Sequence, residues 1–384
     1  MFKHIFLIAL TALLVACGNT DTNQADALTS KQITKLLPRH VSNKASWASD
    51  MVQVFDELKL PKTTQNICTA IAVIDQESNF QADPIVPNLS RASLKAIDEK
   101  LEEKFGKTLA KTFRNMLETK PSIDDNFIKQ IKQIKTEREL DELYQKIFDY
   151  FTTTYKISGL AHITKLSGEG IDERINPITT LGSMQVHIDY ARTHRRSNMS
   201  DRSLRADLYS QYGGLYYGIH RLMLYQADYD KPLYRFADYN SGIYSSRNAA
   251  FQQRVSSLTG DKLDLDGDLL LYDNGSPISK KSQSETALIK LFASELTPIS
   301  ERQIRADLKK EKLKDFESTQ TYRTVSELFE KKYGKNPSYA IIPQVIISGP
   351  KLSRDYNTNW FANRVDKRYQ SCMANAKRHK IKLG

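Results

Sequence analysis

Apolar residues recur at helical spacing along most of this 384-residue chain. Ile67, Ala70, Ile71 and Ile74 place a buried stripe on a helix over 64–80. Leu204, Leu208, Tyr212, Leu215, Ile219 and Leu222 do the same over 204–225. Charged and apolar positions alternate at that period over 45–58, 92–117, 124–135, 137–155, 284–295, 301–312, 325–333 and 360–380. Period-two alternation is scarce. The main strand candidate is 340–347, and Pro343 weakens it. The chain carries no internal repeat, and the fold class that follows is mainly α.

One apolar run has no polar face. Lys3 and His4 precede an almost wholly apolar stretch at 5–15. It is too short to span a bilayer, which takes ~20 such residues; its basic start and small residues at the end read as a secretory leader. The closing Leu14-Val15-Ala16-Cys17 resembles the lipobox of bacterial lipoproteins. The resemblance implies a leader over 1–16, cleaved so that Cys17 carries lipid as the new N-terminus. Gly18, where an Asp would favour the inner membrane, points to a periplasm-facing outer-membrane lipoprotein. Residues 17–30, rich in Asn, Thr, Asp and Gln, read as a flexible tether. Such a segment reaches at most ~45 Å.

Composition narrows the partners. The formal charge is +11 and the sequence pI about 9.2, a balance that favours acidic surfaces. An exported lipoprotein does not meet nucleic acid. Anionic phospholipid and the carboxylates of peptidoglycan are the nearer choices, although much of the charge reads as solvated surface. With Cys17 assigned to lipid, Cys68 and Cys372 either pair in an oxidising compartment or stay as buried thiols.

Candidate chemistry sits in three segments. In Ile74-Asp75-Gln76-Glu77-Ser78, Glu77 continues the face of Ile67, Ala70 and Ile74. A carboxyl there lies at the end of a buried helix. Burial and the negative helix terminus both favour its protonated form, as a general acid requires. The second segment is Gly182-Ser183-Met184-Gln185 and the third is Asp238-Tyr239-Asn240-Ser241-Gly242. Between them, Gly213, Gly214 and Gly218 interrupt a helical stripe, at ~1 kcal/mol each against Ala. That placement suits a second backbone packed closely on the helix.

In this order the segments resemble the goose-type lysozymes and family-one lytic transglycosylases: a Glu-Ser pair, a Gly-Leu-Met-Gln loop, a glycine-bearing helix and an Ala-Tyr-Asn-Ala-Gly turn. The full chain also resembles a family of Gram-negative lipoproteins without an assigned function. The first resemblance implies a lysozyme-like domain over 31–260 with Glu77 as the single catalytic acid. Ser78 would hold substrate beside it, Met184 and Gln185 would line sugar subsites, Tyr239 would hydrogen-bond Glu77, and Asn240 would contribute from the turn. The implied reaction cleaves peptidoglycan glycan strands to 1,6-anhydromuramic ends, with no cofactor or metal. A hydrolytic muramidase and a non-catalytic glycan-binding scaffold are the alternatives.

The departures are specific. The gap from Glu77 to Gln185 exceeds that of the compact domain, so about 85–176 is expected as a helical insertion. It would cover the groove, bind a partner, or displace the Met-Gln loop from the acid. Asp238 stands where Ala is usual, and would either repel Glu77 or face solvent; Ser183 replaces a bulky residue. A C-terminal helical extension is expected over 261–384, packed on the same domain. The calcium-like Asp264-Leu265-Asp266-Gly267-Asp268 lacks the final Glu of an EF-hand loop, with Gly275 in its place, and reads as a turn. The basic helix carrying Arg364, Lys367, Arg368, Lys377, Arg378, Lys380 and Lys382 reads as a solvated face. His220 reads as packed, and Asp75 as turned ~160° from Glu77.

Overall fold

The structure, a computed structural model, describes residues 27–155, 176, 178–273, 275–293, 298–347 and 355–383. The expected leader, Cys17, most of the tether and residues 156–175 of the expected insertion lie outside them. The described chain is mainly helical, as the periodicity predicts. Its first helices are α1 (Ser30–Leu36), α2 (Lys44–Glu57), α3 (Thr64–Ser78), α4 (Leu89–Thr119), α5 (Phe127–Gln133) and α6 (Glu137–Tyr155). A short antiparallel hairpin follows, β1 (Thr180–Leu181) with β2 (Val186–His187), then α7 (Ile188–Thr193), α8 (Asp201–Leu208), α9 (Gln211–Met223), α10 (Pro232–Ser241) and α11 (Ser245–Thr259). The remainder is the hairpin β3 (Tyr272–Asp273) with β4 (Ser276–Pro277), α12 (Gln283–Ala293), α13 (Glu301–Leu308), α14 (Gln320–Tyr333), the pair β5 (Ile346–Ile347) and β6 (Tyr356–Asn357), and α15 (Thr358–Arg378).

Several expectations are corrected. The stripe over 204–225 is two helices, because Ser210 caps α9 by accepting the Gly213 N–H at 2.9 Å. Gly106, at φ +73°, breaks α4. Residues 238–241 of the motif read as a turn are helical, in a helix that opens at Pro232 and ends at Gly242. Helix α11 was not anticipated. Of the strand candidate 340–347, only Ile346–Ile347 pairs.

Two apolar cores form. The larger takes Ile67, Ile71 and Ile74 from α3, Leu215 and Ile219 from α9, Phe236 from α10, and Phe361, Val365 and Tyr369 from α15. The smaller joins Phe251 and Val255 of α11 to Leu288, Phe292, Ile304, Phe316 and Val325. The packing therefore does not divide at 260/261. α11 already belongs to the second core, and α15 returns to the first, lying along α3 and α10. A disulfide joins Cys68 of α3 to Cys372 of α15 across 304 residues of sequence. Among the described residues no helix is long and apolar enough to cross a membrane.

Residues 85–155 pack into the larger core through Phe127, Ile131, Leu140 and Phe151. A buried ion pair, Arg205 to Asp141 at 2.6 Å, ties α6 to α8, and Arg205 also donates to the Ile178 carbonyl at 2.8 Å. Removing one partner would strand a buried charge.

Closing so long a loop makes the disulfide a strong constraint on the unfolded chain. The double substitution Cys68→Ser, Cys372→Ser should cost about 2–4 kcal/mol and lower Tm by about 4–12 °C. Differential scanning calorimetry of oxidised wild type against the variant checks it; coincident transitions contradict it.

Candidate active site

The site grows from the end of α3. From Ile67 to Asp75 every residue of this helix is buried, and Glu77 emerges in the last turn. Asn79 and Phe80 both take left-handed backbone conformations, at φ +51° and +61°, and end the helix there. Phe80 then packs edge-on against Trp47 at 5.2 Å, which anchors the exit. Asp75 points elsewhere, to His40 at 2.8 Å and Arg368 at 2.9 Å, as the helical geometry requires.

The hairpin β1–β2 brings the second segment to Glu77. Its turn needs left-handed backbone at Gly182 (φ +76°) and at Gln185 (φ +50°). Gly182 presses against the α8–α9 junction, where a Cβ would lie 2.1 Å from the Leu208 carbonyl oxygen. A Cβ on Gly214 would meet Ser183 Oγ at 2.8 Å, and one on Gly218 would meet Met184 Sδ at 2.2 Å. These two glycines of α9 are thus the seat of the turn, and the small Ser183 is what fits beside Gly214.

Glu77, Thr180, Gln185, His187, Arg221, Tyr239, Asn240 and Phe361 line one cavity of about 330 Å³. The expected insertion does not displace the loop; instead Glu137 of α6 accepts a hydrogen bond from Gln185 Nε2 at 3.3 Å. Gln185 Oε1 in turn accepts from Thr180 at 3.1 Å. Asn240 is held by Thr358, which donates to its Oδ1 at 3.1 Å.

Three expected roles change. The Tyr239 hydroxyl donates to the Met184 carbonyl at 2.7 Å, not to Glu77. Met184 is fully buried against Gly218 and supplies that carbonyl, so its side chain does not line the cavity. Ser78 is buried, donates to the Ile74 carbonyl at 3.2 Å and accepts from the Gln81 N–H, outside the cavity. Asp238 neither faces solvent nor repels Glu77. It is buried, and accepts from the hydroxyls of Tyr225 (3.0 Å), Tyr229 (2.6 Å) and Ser245 (3.1 Å) and the N–H groups of Tyr244 (3.1 Å) and Ser246 (2.7 Å).

Glu77 keeps one opening onto the cavity, yet its carboxyl is ringed by protein. Burial pushes its pKa up to about 7, against the opposing pull of the Arg221 and Arg368 guanidiniums. Burial also lowers the His187 pKa, and its Nδ1 accepts the Asp189 N–H at 3.3 Å. His220 faces away, hydrogen-bonded to Tyr190 at 2.7 Å, and burial pulls its pKa down to about 4.

Arg221, His187, Thr180 and Phe361 were not singled out from sequence. Arg221 was within reach: it follows Gly214 and Gly218 by steps of four and three, so it shares their helix face. Phe361 arrives only through the packing of α15. On the second core, Asp266 Oδ1 accepts from Gln252 and from the Asp268 N–H in a tight turn at Gly267, φ +87°. Among the described residues no cluster of His, Cys, Asp and Glu is arranged to hold a metal ion. The basic helix is not wholly solvated: Arg368 pairs with Asp75, and Arg364 donates to Gln76 at 3.2 Å.

Two comparisons place the chain. A family described as "Protein of unknown function (DUF1615)" matches residues 40–375. The protein "Uncharacterized protein YaiW" of Escherichia coli (strain K12) is 34% identical over 343 residues, covering 89% of this chain and 88% of that one. No solved structure matches.

A raised carboxyl pKa means that the fold favours protonated Glu77. Its ionisation therefore costs stability as pH rises from about 4.5 to about 7. Glu77→Gln should match wild type at pH 4 and exceed it by about 1–3 kcal/mol at pH 8; urea unfolding at both pH values measures this, and a difference independent of pH contradicts the burial argument. Gly218→Ala should displace Met184 at a cost of about 1–3 kcal/mol and weaken any ligand binding in the cavity, read by the same unfolding curves and by ligand titration.

Proposed function

The chain belongs to that family, and from the geometry of the cavity we propose that it is a lytic transglycosylase of peptidoglycan with a lysozyme-like arrangement, tethered to the outer membrane through lipid on Cys17. The observation that carries the reading is one protonatable carboxyl, ringed by protein, in a cavity whose other described lining residues include no second carboxylate. Among the described residues lining the cavity, Glu77 is the only carboxylate. Most glycoside hydrolases divide acid and base or nucleophile roles between two carboxylates. A single one suits a reaction in which the substrate supplies the second function.

In that reaction Glu77 gives its proton to the glycosidic oxygen as the C1–O bond of a muramic residue breaks. The N-acetyl oxygen of the same residue supports the positive charge at C1. The Glu77 carboxylate then takes the proton of the 6-hydroxyl, whose oxygen closes onto C1 to give the 1,6-anhydro ring, and the acid is restored. A pKa near 7 lets one group serve in both directions. The amides of Gln185 and Asn240 and the Thr180 hydroxyl bind sugar substituents, and Phe361 offers an apolar surface to a ring.

Digestion of purified murein followed by mass spectrometry tests the proposal. Wild type should release anhydromuropeptides, and Glu77→Gln should lose at least about a hundredfold in rate. Reducing-end products would make the enzyme a muramidase. No products from wild type, with retained binding to murein, would leave a glycan-holding scaffold.

A further inference from the structure

Arg221 is the one arginine or lysine among the described residues lining the cavity, and glycosidic cleavage as written does not use it. It stands on the glycine face of α9, and its guanidinium lies over the Tyr239 ring at 4.5 Å. One of its nitrogens donates to the Tyr239 carbonyl at 2.6 Å. Those contacts fix the group without neutralising it: among the described residues no carboxylate comes within ion-pair distance of Arg221. Other arginines of the first core meet carboxylates, Arg368 at Asp75, Arg205 at Asp141 and Arg196 at Asp207. Arg221 alone of these lines the cavity that holds Glu77.

A positioned, unpaired guanidinium is built for a planar anion, with free N–H groups to meet both oxygens of a carboxylate. Among the described residues lining the cavity none contributes a charge of the opposite sign when Glu77 is protonated. At about 330 Å³ the space is at the small end of ligand cavities, which run from about 300 to 1,000 Å³. The anion must then belong to the sugar at the acid itself. A muramic residue carries one such group, the lactyl substituent at C3, and only when that lactyl group is not amide-linked to a peptide.

Resting on the peptidoglycan reading above, we infer that Arg221 recognises the free lactyl carboxylate of muramic acid, so that the preferred substrate is glycan stripped of its peptides. The class of reaction that supplies this substrate is hydrolysis of the lactyl–peptide amide. The guanidinium also gives specificity its sign. An amide in place of the carboxylate leaves a desolvated cation facing a neutral group, which disfavours peptide-bearing strands rather than merely failing to favour them.

Calorimetric titration of the full chain with the uncleaving Glu77→Gln substitution separates the possibilities. The probes are a muramic-acid-containing tetrasaccharide with free lactyl carboxylates and the same compound with each lactyl group capped as an alanine methylamide. The acid should bind about tenfold tighter than the amide. Adding Arg221→Gln should remove that preference, and adding Arg221→Lys should keep part of it. Equal binding of acid and amide with Arg221 in place overturns the inference and leaves the peptidoglycan reading standing. So does a preference that survives Arg221→Gln in a variant whose thermal transition is intact. Binding of neither compound removes the peptidoglycan reading and this inference with it.

Discussion

The close approach of the 182–185 turn to helix α9 is the constraint on which the site depends. Backbone meets backbone at Gly182 and Gly214, and a methyl group on Gly214 or Gly218 would overlap Ser183 or the Met184 side chain. Helix-interior glycine is costly, at roughly 1 kcal/mol each. What the contact secures is an arrangement no single helix could hold. Gln185 is fixed in a left-handed conformation facing Glu77, and the Met184 carbonyl is fixed where the Tyr239 hydroxyl can reach it. Three separate stretches of chain are thereby registered on one cavity. A buried loop tolerates this because its polar backbone groups are answered, the Gln185 N–H by the Gly182 carbonyl at 3.0 Å and the Met184 carbonyl by Tyr239.

Two carboxyls close to this region, Asp238 buried and Glu77 half-buried at the cavity, show how environment divides structural from chemical roles. Asp238 accepts five hydrogen bonds and fixes the corner where α10 passes into α11. A group so fully engaged has no free lone pair to give a substrate. Among the described residues Glu77 takes no hydrogen bond, and its neighbours act on it only through burial and the fields of Arg221 and Arg368. Satisfying a buried carboxyl stabilises a fold; a carboxyl left without protein partners at a cavity is free for proton transfer.

The sequence was most legible where one physical rule acted alone. Helical periodicity located α2, α3, α6, α12 and α15 to within a few residues, because burial of one face decided each. The raised carboxyl at Glu77 followed from the same stripe. What stayed hidden was decided by tertiary partners. Ser210 capped a second helix inside an unbroken apolar pattern, and α11 escaped because polar residues, Arg247, Asn248, Gln252 and Arg254, share its buried positions with Phe251 and Val255. Arg247 is wholly buried only because carbonyls of Glu311 and Leu313 and the Glu317 carboxylate receive it. At the site, motif order assigned Ser78 and Met184 to substrate. Geometry turns both inward, since Ser78 closes its own helix end and Met184 fills the space that Gly218 leaves.

The path of the chain adds a last constraint. α15 completes the first core, yet it follows the stretch from Phe251 to Leu328 that builds the second. Phe361 reaches the cavity, Thr358 holds Asn240, and Arg368 bears on Glu77 only after α15 has docked along α3. The disulfide from Cys68 to Cys372 fixes that docking from the opposite side of α3 to the side that carries Glu77, so the helix is clamped behind while its front face meets the cavity. The second core is then more than an appendage. By folding, it returns the C-terminal helix to within reach of α3, and the acid's environment is complete only when both cores have formed.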